Sequence, residues 1–218
     1  MGMNQQPLDE HQELLEGLLH AVEQAPPEPE PHSKVLWRAW ADTQLRARTA
    51  AMRKQHALTL AIRVSALAEA TGARVVGLYS PLGAEVETRE LANRLLVLGL
   101  QLAYPRLSPD SKSMKFAAAE GPSALQPRPR SRLLEPVGLG LHAEELDLVV
   151  VPAMAVNAQG QRLGRGGGHF DRYLPNLRAD VLTVAVCPQD QIVPWQPTEP
   201  HDWPLKLVCT EHGLFQLG

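Results

Sequence analysis

Only two cysteines occur in the chain, Cys187 and Cys209. Each stands among apolar neighbours and neither has the paired spacing of a zinc ligand set, so a zinc knot is excluded and buried free thiols are expected. A long basic run is also missing. With 21 Lys and Arg against 24 Asp and Glu, the net charge is −3, which offers nothing to a nucleic acid or an anionic membrane. No apolar run approaches the ~20 residues of a membrane span, and the polar, acidic N-terminus has neither the n-region nor the h-region of a signal peptide. A Walker loop, GxxxxGK[ST], and a GxGxxG dinucleotide fingerprint are both absent. These absences leave a cytoplasmic protein of small-molecule chemistry, a monomer with a dimer as the alternative, without nucleic-acid or membrane partners.

What is present centres on Asp147 to Leu174, DLVVVPAMAVNAQGQRLGRGGGHFDRYL. Leu148 to Val151 are apolar without interruption and stop at Pro152, as suits a strand buried on both faces. A loop is expected next, with turn chemistry at Asn157 and Gly160. Arg162, Leu163, Gly164, Arg165, Gly166, Gly167 and Gly168 then bring glycines and arginines together. Glycine lets backbone N–H groups converge on an anion, and a guanidinium offers forked donors matched to phosphate oxygens. His169 to Leu174 reads as a helix opening, with Asp171 where a carboxylate is favoured by the helix dipole or could hold a phosphate-bound magnesium. On composition alone a solvated glycine-rich turn, with Asp171 an ordinary first-turn acid, fits equally well.

The rest of the chain reads as a frame for this stretch. Residues 1–32 form an extension, with an amphipathic stripe (Leu14, Leu15, Leu18, Leu19, Val22) and a Pro/Glu linker, APPEPEPH. Residues 33–218 are expected to be one domain, large enough to bury roughly 70% of its unfolded surface. Two helices fall within 33–70, with Ser33 as N-cap and Gly72 as the stop. Lys34 and Arg38 share one face of the first, where they either meet water or converge on a polyanion. VVGLY (75–79) is the first strand, a helix follows around 91–98, and LQLAYP is a second strand, parallel to the first. Met114 and Phe116 alternate on another strand, with Met114 read as core. Gln126 to Pro136 is a Pro/Arg-rich loop, Val181 to Cys187 a buried strand, and the chain closes on a strand and a short tail. Helices alternating with strands indicate a single three-layer α/β/α domain with a mainly parallel central sheet, an N-terminal helix pair, and a cleft at the carboxyl ends of the strands.

RLGRGGGHFDRYL, preceded by a strand ending VPAMAVNAQG, resembles the signature of the 5-formyltetrahydrofolate cyclo-ligase family, VPGLAFD..G.RLG.G.G.YD. SKVLWR is similar to that family's K..LR element, YSPLGAEVET to its YxPxxxEVDT segment, and PTEPHDWP (197–204) to its P.E.HD.P segment. The likeness runs over roughly residues 34 to 211. Val156-Asn157 stand where Phe-Asp is usual, His169-Phe170 where tyrosines are usual, and Ser131-Arg132 where an aromatic and a glycine precede the LLEP motif.

The resemblance implies an enzyme using ATP and Mg²⁺, with folate as substrate. ATP phosphorylates the formyl oxygen of 5-formyltetrahydrofolate, and N10 attacks to close the ring, releasing ADP and phosphate. It implies ATP contacts from Lys34, Arg38 and Arg162 through Phe170 (Arg162, Leu163, Gly164, Arg165, Gly166, Gly167, Gly168, His169, Phe170), with Arg165 and Lys34 catalytic. Glu85, Ser80, Leu82 and Phe116 fall in the substrate site, and Asp171 and Asp202 are metal ligands. The alternatives are an enzyme of the same fold using ATP on another substrate, and a non-catalytic nucleotide-binding regulator.

Overall fold

The computed structural model describes residues 33–194 and 196–217; the N-terminal extension with its leucine stripe and Pro/Glu linker lies outside them. Two helices come first, α1 (Lys34–Ala47) and α2 (Ala50–Thr71). Ser33 caps α1 by accepting from the Leu36 amide, and Thr49 caps α2 by accepting from Met52, each satisfying a donor that a helix start leaves unpaired. α2 stops at Gly72, whose left-handed backbone (φ 67°) returns its amide to the last turn.

The strands in chain order are β1 (Val75–Gly77), β2 (Gln101–Leu107), β3 (Met114–Ala119), the two-residue β4 (Gln126–Pro127) and β5 (Leu134–Glu135), and β6 (Leu148–Pro152). After them come β7 (Ala155–Asn157), β8 (Arg162–Leu163), β9 (Leu182–Val186), β10 (Ile192–Val193), β11 (Leu207–Cys209) and β12 (Leu214–Gln216). Helix α3 (Arg89–Val97) lies between β1 and β2, and α4 (His169–Tyr173) follows the glycine loop.

Seven strands make the central sheet, in the order β12-β11-β9-β6-β1-β2-β3. All its pairs are parallel except at the two edges, where β12 and β3 close it antiparallel. The chain thus ends on two strands rather than one. β6 sits in the middle, and its unbroken apolar run is explained there. Leu148 and Val150 enter one core with Leu60 and Val64 of α2 and Leu91 and Leu95 of α3. Val149 and Val151 enter the other, with Phe116, Tyr173 and Leu174. Three layers result, but beneath this second face the helical layer is thin: α4 has five residues, and chain around Leu141 and Leu146 completes the cover. Cys187 and Cys209 are buried and free.

The segment after β6, expected as irregular loop, folds instead into a β7–β8 hairpin, with β10 pairing parallel to β7. Its turn is closed by Asn157, whose Oδ1 accepts from the Gln161 amide (2.9 Å) while its own amide donates to the Gln161 carbonyl (3.0 Å). Trp37 and Ala41 of α1 pack onto this small sheet with Met154, Leu163 and Val193. Burying an aromatic such as Trp37 contributes about 2–3 kcal/mol, so the hairpin is what fixes α1, and with it Lys34 and Arg38, beside the glycine loop.

Candidate active site

At the carboxyl ends of β1, β2 and β6 the sheet opens into a cavity that is continuous with solvent. It exists because β2 outruns β1. Pairing with β1 ends at Ala103, whose carbonyl receives the Leu78 amide, while β2 runs on to Leu107 beside β3 alone. Pro105 falls in this overhang, where a strand proline is tolerated because no neighbour on that side asks for its N–H.

One wall is the loop after β1. Tyr79 donates its hydroxyl to the Val86 carbonyl (2.8 Å), and Thr88 donates its own to the Tyr79 carbonyl (2.9 Å), both buried. Burial, with Glu85 and Glu87 nearby, pushes the Tyr79 phenol well above its ordinary value. The loop so braced presents Ser80, Leu82 and Glu85 to the cavity. Glu85 is buried, and its Oε2 accepts from the Leu82 amide (2.8 Å).

Another wall is apolar: Leu107, Met114, Leu133 and Leu134. The Pro/Arg-rich stretch expected as loop here forms the β4–β5 hairpin, held by Arg128. Arg128 donates to both oxygens of Glu135 (3.0 and 3.1 Å) and to the Leu107 and Ser108 carbonyls. Met114 is buried in the second core, as expected, and also reaches the cavity, whereas Phe116 is fully buried and is not at the substrate wall expected of it. Gly77 is the reason: a Cβ there would stand 2.8 Å from the Phe116 ring, so the aromatic fills a hollow over β1 and packs on Tyr173 at 5.2 Å between ring centroids.

The third wall is the glycine loop, through Arg162, Gly164, Arg165, Gly167, Gly168, His169, Phe170 and Asp171. Of the residues expected at the nucleotide, Leu163, Gly166, Lys34 and Arg38 do not line it. Leu163 is buried in the core beneath α1. Gly166 (φ 100°) lies against the Arg38 guanidinium, whose Cζ would come 3.3 Å from a Cβ at this position. Arg38 donates Nε to the Gly164 carbonyl (2.8 Å), holding the loop rather than facing the cavity.

The expected cations and acids are brought together, paired with one another. Arg162 is buried and donates to Asp171 Oδ1 at 2.9 Å. Burial draws the guanidinium below its usual pKa, opposed by Asp171, Asp202 and Glu85, so these acids share its field. Lys34 contacts Asp202 Oδ1 and Oδ2 at 2.9 and 2.8 Å and Glu199 Oε2 at 2.5 Å, and holds the Glu199 carboxyl below its usual range. Arg165 donates Nε to Glu85 Oε1 (2.5 Å) and Nη2 to the Leu82 carbonyl (2.6 Å). His169 is lowered by burial and by Arg172 and Arg128, which favours the neutral imidazole at neutral pH.

The donor set suits magnesium, which favours one or two carboxylates alongside phosphates and waters. Asp171 and Asp202 are carboxylates held by cations that phosphate would attract. Glu199, His201 and Asp202 also bring ligand atoms within 4.8 Å of one another, with Lys34 contacting both acids.

Residues 32–211 match the 5-formyltetrahydrofolate cyclo-ligase family. The chain belongs to that family. Its members are ATP-dependent ligases. Among curated relatives, the 5-formyltetrahydrofolate cyclo-ligase of Mycolicibacterium smegmatis is 34% identical over 151 residues, covering 66% of this chain and 77% of the relative. The mouse enzyme of the same name is 28% identical over 186 residues, covering 80% and 91%. In fold, the NMR structure of Aquifex aeolicus 5,10-methenyltetrahydrofolate synthetase superimposes with a TM-score of 0.73 at 24% identity, covering 84% of this chain and 92% of that one. The Mycoplasma pneumoniae synthetase gives 0.67 at 18% identity, covering 82% and 99%.

Sequence reasoning missed Glu135 and Asp42, and read Met114 as core alone. Glu135 stands in the LLEP motif but is placed by Arg128 and by the Leu107 amide, which donates to its Oε1 (3.0 Å). Asp42, on α1, lies 3.6 Å from Arg165 Nη1, and only its position two helical turns from Lys34 could have pointed to it.

Proposed function

We propose that the chain catalyses the ATP- and magnesium-dependent cyclisation of 5-formyltetrahydrofolate to 5,10-methenyltetrahydrofolate, releasing ADP and phosphate. The observation that carries this reading is the cavity itself, in a chain of this family. One wall is a glycine loop with two arginines, another is apolar, and a third carries a buried carboxylate. A polyphosphate suits the first, a flat ring the second, and a donor-bearing pterin edge the carboxylate of Glu85.

The formyl amide is a poor electrophile until its oxygen becomes a leaving group. Phosphorylation by ATP does this, and N10 then closes the ring, so the protein needs no nucleophile of its own. Arg165 and Lys34 stabilise charge on the transferring phosphoryl group, with Arg162 and the glycine loop holding the rest of the phosphates. Arg38 acts on the loop through Gly164. Asp171 and Asp202 would hold magnesium, which would neutralise phosphate charge. Met114 takes the part in the substrate wall that the sequence suggested for Phe116.

A monomer working in the cytoplasm fits this reading, with no nucleic-acid or membrane partner. No helix among the described residues is long and apolar enough to cross a membrane. The test is spectrophotometric: purified protein with 5-formyltetrahydrofolate and MgATP should raise the near-ultraviolet absorbance of the methenyl product, and omission of ATP or Mg²⁺ should abolish the rise. Folded protein that binds ATP but gives a flat trace would reject the substrate and favour a sister enzyme.

A further inference from the structure

Arg165 is held on three sides. Its Nε meets Glu85 Oε1 at 2.5 Å, its Nη2 the Leu82 carbonyl at 2.6 Å, and its Nη1 lies 3.6 Å from Asp42 Oδ1. The Nε/Nη2 edge is one of the faces by which a guanidinium grips a phosphate in a fork. Here that edge is filled by protein. Glu85 is engaged as fully, since its second oxygen already accepts from the Leu82 amide. The residue assigned to phosphate and the residue assigned to the pterin are therefore bound to each other.

We infer that the Glu85–Arg165 ion pair is a latch shared by two ligand subsites, so that nucleotide and folate each bind more tightly once the other is present. The inference rests on the proposed function, which gives phosphate to Arg165 and pterin N–H donors to Glu85. Phosphate drawing Arg165 away leaves Glu85 a carboxylate with an open oxygen, ready for the pterin. A pterin that takes Glu85 releases the guanidinium edge in the same way. Whichever ligand arrives first must open the pair, and the second finds it open; by linkage the two affinities change by one common factor. Asp42 supplies the second station. Its Oδ1 is buried without a hydrogen bond and faces Nη1, so it keeps the freed guanidinium on the loop and serves as a positioning residue.

Calorimetric titration of the full chain tests this, using a non-hydrolysable ATP analogue with Mg²⁺ and 5-formyltetrahydrofolate, each alone and each in the presence of the other. Each ligand should tighten the other by the same factor, on the order of 5- to 150-fold. Glu85→Ala should bind the nucleotide analogue alone more tightly than wild type, and Arg165→Met should bind the folate alone more tightly, although each variant has lost a ligand contact. Independent binding in wild type overturns the inference, as does nucleotide affinity unchanged or weakened in Glu85→Ala. Wild-type protein that binds neither ligand and shows no turnover overturns the proposed function, and the inference with it.

Discussion

Arg162 and Arg165 lie three positions apart in one motif, yet burial gives them different work. The Arg162 side chain is 4% exposed and its partner Asp171 12%. Removing either one strands an uncompensated buried charge, so Arg162→Met and Asp171→Asn should each lose about 3–5 kcal/mol in urea unfolding. Arg165 is 32% exposed but its partner Glu85 only 7%, so the pair is half screened. Arg165→Ala should cost about 1–3 kcal/mol, less than Arg162→Met, because it leaves the Glu85 carboxylate buried without its cation, while lowering turnover by about 100-fold or more, a split readable from one unfolding curve and one rate. His56 gives a pH dependence remote from the cavity. Its ring is 1% exposed, Nδ1 lies 3.6 Å from Glu211 Oε2, and burial takes its pKa from 6.5 down to about 4 despite that carboxylate. The unfolded chain then binds the proton more readily than the folded one. Stability is therefore full above pH 6.5 and falls as the pH drops toward 4, by about 2 kcal/mol between pH 7 and 5. Urea midpoints at the two pH values check this, and His56→Gln should flatten the difference. At this scale the sequence placed Arg162, Arg165 and Asp171 in one motif, but Asp42 was hidden because its relation to Arg165 depends on how α1 docks.

How α1 docks is decided by short elements. β6 could be read directly, because four apolar residues in a row have few other destinations in an α/β sheet. β7 and β8 could not, since strands of three and two residues are too short to show a period. Met114 and Phe116 stand two apart and so share one face of β3, but the sequence did not show that only Met114 reaches the cavity. That is decided by Gly77, a residue nearly forty positions earlier that leaves the hollow for the Phe116 ring. The hairpin turn carries a specific liability. A Cβ at Gly160 would lie 2.0 Å from the Leu205 carbonyl oxygen, and the Gly160 carbonyl accepts from the Leu205 amide at 2.8 Å. Gly160→Ala should cost about 2 kcal/mol or more. Because β8 begins at Arg162, nucleotide affinity should weaken along with the melting temperature.

For the whole molecule, ligand binding and stability are linked. A nucleotide analogue at 100 times its dissociation constant should add about 2.7 kcal/mol, a rise of about 5–10 °C in melting temperature for a domain of this size. A chain beginning at residue 33 should retain both this shift and the turnover, consistent with a family match that begins at residue 32. The order of layers was legible from alternating helices and strands, while the thin cover beneath the second face was not, because irregular chain carries no periodic signal.

The Lys34 ammonium meets Asp202 across 168 positions of sequence, and Arg165 meets Glu85 across 80. During synthesis Lys34 precedes its acid Asp202 by that whole stretch, so the pair cannot form until the segment carrying Asp202 has been made. The site is thus a late, long-range product of folding, and in refolding from urea the return of activity should coincide with the last structural phase.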